Sequence, residues 1–264
     1  MLWVDEMRPK VFDTMDYHFE TNNLLSNIAG KDDFPHLLLY GPTGAGKKTR
    51  VLALLQKIFG DGVEKSKVES RSLKAHDKAT PIDIEVIQSQ YHLEVCPSDV
   101  GNKDTVIVQT LIKDLAQSQT VTNKKFRVLV IDDAELLSHQ AQAGLRRTME
   151  KYVQNCRIIM LCSTLSKIIP PLRSRCVCIR VPAPTNAEVV TCLQKVATKK
   201  QVQAPAGMFE KIAVAANRDL RRAILLFETS FVGGFTEELV LNAWEQYCNS
   251  ICDTMTREQY YFLF

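Results

Sequence analysis

None of the eight cysteines in this 264-residue chain (Cys96, Cys156, Cys162, Cys176, Cys178, Cys192, Cys248 and Cys252) forms a Cys-x-x-Cys pair, and the five histidines stand at no ligand spacing to them. The common zinc frameworks are thereby excluded. No apolar run approaches the roughly 18 residues of a membrane-spanning helix. The opening Met1-Leu2-Trp3-Val4-Asp5-Glu6 has neither a basic segment nor an apolar one behind it, so an intracellular protein with reduced thiols is expected. Charge of one sign is also scarce. A net +3 is too slight to make the whole surface a nucleic-acid platform and leaves only local basic faces for that role. What remains is ordinary for a globular protein, 45% apolar and 24% charged, with length for one large domain and a smaller one.

Three apolar runs end in polar signals. Pro35-His36-Leu37-Leu38-Leu39-Tyr40 stops at Gly41, and the helical spacing of Val51, Leu52, Leu54, Leu55 and Ile58 follows a glycine-rich stretch. Val128-Leu129-Val130-Ile131 ends in Asp132-Asp133, and Arg157-Ile158-Ile159-Met160-Leu161-Cys162 ends in Ser163-Thr164. Continuous apolar strands alternating with helices predict an α/β fold whose parallel sheet is covered on both faces. The charged stretch from Glu64 to Thr80 reads as a solvated loop or hairpin, followed by a strand pair around Ile82 to Val95 and a helix over Asp104 to Gln117. Pro182-Ala183-Pro184 breaks the pattern. Beyond it everything is helical: a capping box at Thr185-Asn186-Ala187-Glu188 opens one helix, and Gly207–Asn217, Leu220–Phe231 and Thr236–Tyr247 read as three more.

Gly41-Pro42-Thr43-Gly44-Ala45-Gly46-Lys47 supplies the G-x-x-x-x-G-K of a phosphate-binding loop between a strand and a helix. Its glycines let backbone N–H groups and the helix N-terminus face an anion while Lys47 reaches the outer phosphates of ATP or ADP. The Ser or Thr that should follow and bind Mg2+ is replaced by Lys48, and Thr49, about 100° round the helix, is no simple substitute. Asp132 is the candidate metal ligand at the end of the second strand. Asp133 stands where a glutamate would polarise the attacking water, one methylene short, so impaired hydrolysis and doubtful Mg2+ binding are expected. Ser163 could meet a γ-phosphate or form a turn, and Arg146, Arg147 and Lys151 make a basic helix segment that reads as a solvated face by itself.

Trp3-Val4-Asp5-Glu6-Met7-Arg8-Pro9, Gly41 to Arg50, Leu145 to Tyr152, Ser174-Arg175-Cys176 and Asp219-Leu220-Arg221-Arg222 together resemble the small subunits of replication factor C, the eukaryotic clamp loader of the AAA+ ATPase class. Lys47-Lys48-Thr49 and Tyr91-His92-Leu93-Glu94-Val95, before Pro97-Ser98-Asp99, are similar to one of those subunits in particular. The resemblance implies a nucleotide-binding domain over 1–181, a helical lid over 182–250 and a tail over 251–264 that stops before the family's oligomerisation collar. It implies that Val4, Arg8 and Pro9 lie against the adenine, that Arg221 senses the phosphates from the lid, and that Arg175 acts in trans as an arginine finger. Ser163 stands where the family usually has a sensor asparagine, and Asp132-Asp133-Ala134-Glu135 departs from its Asp-Glu-Ala-Asp box.

As partners the resemblance implies the other subunits of a heteropentamer, the PCNA sliding clamp and primer-template DNA, in the nucleus and with no membrane. Arg146 and Arg147 would then contact DNA phosphates, and Gln109, Ile112 and Leu115 loosely echo a clamp-binding peptide. With the collar missing, poor incorporation into the pentamer is expected. The competing reading, a free-standing AAA+ enzyme remodelling a non-DNA substrate, requires the hydroxyl and the glutamate that Lys48 and Asp133 replace.

Overall fold

In a computed structural model describing residues 1–31, 33–73, 82–96, 101, 104–117, 126–235 and 243–261, the chain begins with α1 (Trp3–Glu6), α2 (Phe19–Ala29), β1 (Leu37–Tyr40) and α3 (Lys47–Phe59). It continues through β2 (Lys67–Leu73), β3 (Ile82–Gln88), β4 (His92–Val95), α4 (Asp104–Gln117), β5 (Arg127–Ile131), α5 (His139–Lys151), β6 (Cys156–Cys162), α6 (Pro170–Arg173) and β7 (Val177–Arg180). Four helices follow: α7 (Asn186–Lys200), α8 (Met208–Ala215), α9 (Leu220–Val232) and α10 (Ala243–Tyr261). Two compact units result, one of Arg8–Pro184 and one of Met1–Met7 with Thr185–Phe264.

The α/β unit is built on one sheet in the order β2-β3-β4-β5-β6-β1-β7. Its strands from β4 to β7 are parallel, as the continuous apolar runs predict. Strand alternation sorts the side chains into two cores. Leu38, Leu129, Ile131, Ile158 and Met160 pack on one face with Ile107 and Leu111 of α4 and Leu145 of α5. Leu37, Leu39, Val128, Val130, Ile159 and Leu161 pack on the other with Leu25 of α2 and Leu54 and Leu55 of α3. Removing any of these large side chains costs about 2–5 kcal/mol, so the sheet edge that carries the loops is held from both sides.

The charged stretch takes the hairpin alternative, and one further strand was not expected. Part of the charged stretch is strand β2, paired antiparallel with β3 from Lys67↔Gln88 to Leu73↔Ile82; its polar sequence fits an edge strand with little to bury. Strand β7, invisible to periodicity, buries only Ile179 and closes the other edge against β1.

In the helical unit, the expected capping box forms: the Thr185 hydroxyl accepts from the Glu188 N–H, and the Glu188 carboxylate accepts from the Thr185 N–H. Met1–Met7 joins this unit rather than the α/β one because the Trp3 indole packs on Phe227 and Phe231 of α9, at centroid distances of 5.4 and 5.3 Å. The Trp3 backbone N–H also donates to the Glu228 carboxylate at 3.0 Å. Residues 236–242 of the helix predicted from Thr236 lie outside the described residues, as do Pro97, Ser98 and Asp99; α10 runs on to Tyr261, past the predicted end. An ion pair of 2.7 Å from Arg222 to Glu245 joins α9 to α10.

Candidate nucleotide site

At the carboxyl end of β1 the chain must turn within a few residues from strand to helix, and three glycines make that turn. Gly41, Gly44 and Gly46 have φ of 153°, 67° and 84°, which L side chains rarely adopt. Gly41 has a second constraint: a Cβ there would lie 1.9 Å from the Val181 carbonyl oxygen. The turn is braced from beneath by Arg50, whose side chain is almost fully buried. Its guanidinium donates to the Ala45 carbonyl at 3.0 Å, to Asn22 at 2.9 Å and to the Tyr17 carbonyl at 3.2 Å, and lies over the Tyr17 ring at 4.8 Å. Such a charge is tolerated in the interior because its donors are met.

Helix α3 begins at Lys47 with Gly46 as a left-handed cap. Lys47 arches over the loop, donating to the carbonyls of Gly41 at 2.7 Å and Pro42 at 3.0 Å. Burial draws its ammonium below the ordinary lysine value, opposed by Glu135 first and then by Asp133 and Asp132. These charges place the predicted metal and base carboxylates around the loop lysine. Cys162 stays a thiol, since burial pushes it up to about 12, and all eight cysteines are free.

Lys48 takes the helical position at which the motif has a hydroxyl, and its side chain turns inward. Its ammonium forms an ion pair with Glu94 of β4 and another, at 3.1 Å, with Asp132 beyond β5. The side chains are 31%, 8% and 23% exposed, so Glu94 is the buried member. The two acids converge because β4 and β5 are adjacent parallel strands and the Asp132 N–H continues their ladder to the Val95 carbonyl at 2.9 Å. Burial opposes the Lys48 charge, but Glu94 first and Asp132 second outweigh it and hold its pKa above the lysine norm. Burial is also the largest influence on Glu94 and raises its carboxyl; Lys48 pulls it down and Asp132 adds to the rise.

A phosphate loop of this class implies Mg2+, and the residues present do not fit it. A divalent ion needs a hydroxyl from the helix and free carboxylate oxygens. Here the hydroxyl is replaced by a cation already lodged between the two carboxylates. Thr49 is the next residue on a helix that starts in the normal register, so it is turned away from Lys48 by about 100°. Among the described residues, no group of three or more His, Cys, Asp or Glu side chains is arranged to hold a metal.

Asp133 is exposed and left-handed, with φ 46°, and its carbonyl accepts from the Leu136 N–H at 2.9 Å to open a short turn. Glu135 ties strand ends together: its carboxylate accepts from the Ser163 N–H at 2.8 Å, leaving the Ser163 side chain partly exposed. Arg175 bonds to other groups than the loop, donating to Glu150 of α5 at 2.6 Å and the Pro171 carbonyl at 2.8 Å. Arg146 shares Glu150 at 3.6 Å, and Arg146 and Arg147 are both exposed. Val4 lies in α1 of the helical unit, Arg8 and Pro9 begin the α/β unit, and Arg221 is exposed in the first turn of α9.

The residues of the clamp-binding echo lie on α4. Ile112 and Leu115 are 0% and 5% exposed in the core beneath α4, and the Gln109 amide packs against Gly144. Helical spacing placed Ile112 and Leu115 on the apolar stripe, and an apolar stripe on a globular helix faces the sheet. Sequence reasoning passed over Glu94, Arg50, Tyr17 and Asn22. The available signal was an acid inside the apolar His92-Leu93-Glu94-Val95 run and an arginine inside the apolar face of α3.

Comparison with known proteins agrees with this geometry. Residues 17–185 match the family described as DNA polymerase III, delta subunit, and residues 191–232 match the RCF1/5-like AAA+ ATPase lid domain. Replication factor C subunit 5 of Schizosaccharomyces pombe is 42% identical over 98% of this chain and 75% of its own length. Replication factor C subunit 3 of Mus musculus is 42% identical, and that of Homo sapiens 40%, each over 98% of this chain and 74% of the relative. Among solved structures, Thermotoga maritima RuvB, the Holliday junction branch migration motor, superposes with a TM-score of 0.56 at 18% identity, a likeness of fold. The match covers 86% of this chain and 64% of RuvB, under two thirds of its length. A phosphate loop on a parallel sheet, a helical lid in a second unit and relatives matched along nearly the whole chain lead to one assignment: the chain belongs to the replication factor C subunit family of AAA+ proteins.

Proposed function

We propose that this chain is a small subunit of a nuclear clamp loader that opens the PCNA sliding clamp and places it on primer-template DNA in replication and repair. In this reading its own site holds ADP or ATP but turns it over weakly or not at all. The observation that carries the reading is the Lys48 bridge between Glu94 and Asp132, set beside an otherwise complete phosphate loop. The loop glycines, the helix N-terminus and Lys47 supply the elements that bind phosphate. The hydroxyl and the glutamate that turnover requires are replaced by Lys48 and Asp133. Binding and hydrolysis are thereby separated within one site. The alternative of a free-standing remodelling ATPase needs both missing groups.

In the assembled complex, Val4, Arg8 and Pro9 meet the adenine, Ser163 and Arg221 report on the phosphates, and Arg175 exchanges Glu150 for the ATP of a neighbouring subunit. Glu150 is exposed and sits between Arg146 and Arg175, so releasing Arg175 breaks only a solvent-screened pair. Arg146 and Arg147 contact DNA phosphates, which makes that contact independent of sequence and sensitive to salt.

Reconstitution with the other four subunits tests this. Arg175→Ala lowers single-turnover hydrolysis at the neighbouring site on the order of a thousandfold, while the isolated chain releases no γ-phosphate in an Asp133-dependent manner. Release from the isolated chain that Asp133→Ala abolishes would overturn the weak-hydrolysis reading.

A further inference from the structure

The ion-paired Lys48 does more than remove a metal ligand. An exposed lysine at this helical position could swing into solvent and leave Asp132 to a divalent ion, but Lys48 is pinned by Glu94. That carboxylate is 8% exposed on β4 and would be left without a counter-charge if Lys48 moved away. A divalent ion entering beside Asp132 would therefore have to displace a tethered ammonium from two acids, with like-charge repulsion from Lys47 and Lys48 together. The ammonium already stands next to the phosphate loop, bonded to the carboxylate that a phosphate-bound metal would use. Its charge is attached covalently and costs no separate binding event.

We propose that this site binds its nucleoside phosphate without a divalent cation, the Lys48 ammonium, clamped by Glu94 and Asp132, occupying the metal's place while Lys47 and the loop N–H groups hold the phosphates. The inference rests on the reading of the loop as a nucleotide site and adds to it a cation, a new residue in Glu94 and a dependence on ionic conditions. Glu94 is a positioning residue: it acts through Lys48. Ammonium and metal also differ in consequence. Mg2+ exchanges with solution, so a nucleotide held through it loosens when the metal is removed, whereas a nucleotide held by Lys47 and the loop backbone stays bound.

Equilibrium dialysis of the nucleotide-stripped full chain against radiolabelled ADP, in excess MgCl2 and in excess EDTA, reads this directly. The wild-type dissociation constants in the two buffers agree within about threefold, a difference of under 1 kcal/mol. Lys48→Thr, which restores the hydroxyl, binds about tenfold or more weakly in EDTA than in MgCl2. If Lys48→Thr fails to fold because Glu94 is left buried and unpaired, Lys48→Thr with Glu94→Gln carries the same comparison, with a thermal melt as the folding control. Wild-type binding that collapses in EDTA overturns the inference and leaves the nucleotide site standing. Metal-insensitive binding by the hydroxyl variant overturns the inference as well. Absence of ADP binding in both buffers overturns the nucleotide reading, and the inference falls with it.

Discussion

Replacing Lys48 with Met keeps an unbranched side chain of similar length and removes only the charge, so Glu94 and Asp132 are left facing each other without their cation. Breaking a fully buried pair by deleting one partner costs about 3–5 kcal/mol. Lys48 is 31% exposed and Asp132 23%, so water screens part of the interaction, and about 2 kcal/mol is the loss to expect near neutral pH. For a unit of this size that lowers the melting temperature by about 4–8 °C.

The loss has a pH signature that separates it from simple repacking. Burial already raises the Glu94 carboxyl against the pull of Lys48; without Lys48 its folded pKa climbs further above the unfolded value. Between those two values the folded state binds more protons than the unfolded one, so the variant gains stability as pH falls and loses it as pH rises. His92 acts in the same direction, because its pKa is depressed first by burial and then by the Lys48 charge that the variant removes. Urea titrations of wild type and Lys48→Met, at about pH 8 and about pH 5, should show the deficit shrinking at the lower pH. Adding Glu94→Gln should recover most of the loss, with a coupling energy of about 1.5 kcal/mol or more. A deficit equal at both pH values, or one that Glu94→Gln does not relieve, refutes the assignment of Lys48 as the counter-charge of a buried acid.

Gly41→Ala should prevent folding of the α/β unit or destabilise it by more than about 3 kcal/mol, since a Cβ at 1.9 Å from the Val181 carbonyl forces β1 and the chain after β7 apart; circular dichroism melts decide it. Acid should destabilise the same unit through His36 and His92, both held down at about 4, mainly by burial, with Arg157 adding to the effect on His36 and Lys48 on His92. Their folded pKa lies below the unfolded 6.5, so the unfolded chain takes up protons first. Stability is complete above that value and falls by up to about 3 kcal/mol per histidine on the way down to about pH 4. Denaturant titrations at stepped pH that show no decline in this window contradict the neutral, buried assignment.

The strands that form the site were legible because they are buried on both faces: a run such as Leu37-Leu38-Leu39 has no polar alternative to a central parallel strand. The loop was legible for a similar reason, since only glycine accepts the backbone at 41, 44 and 46. Strand β7 escaped, and β2 was legible only as one of two alternatives, because edge strands bury few side chains, so their sequences carry no hydrophobic period. The role of α1 escaped because Trp3 finds Phe227 more than two hundred residues away, a contact that no local pattern encodes. Ile112 and Leu115 obey the helical period, and that period points them into the core.

Lys48 and Glu94 show where reading by motif stops. Taken singly, Lys48 reads as a lost metal ligand and Glu94 as an acid in an apolar strand, and each is unfavourable alone. A lysine beside Lys47 crowds two ammonium groups at one helix N-terminus, where positive charge is already disfavoured. An unpaired carboxylate at the depth of Glu94 would have to protonate or destabilise the sheet. Strand pairing between β4 and β5 brings the two positions together with Asp132, and each then removes the other's cost. Neither residue can be changed alone without restoring a penalty, so the pair resists a single-step return to a metal-binding hydroxyl: Lys48→Thr recreates the ligand but leaves Glu94 uncompensated beside it. The neighbours of a loop that keeps its glycines and Lys47 are therefore locked into an ion pair, and the acid on β4 is the residue that locks it.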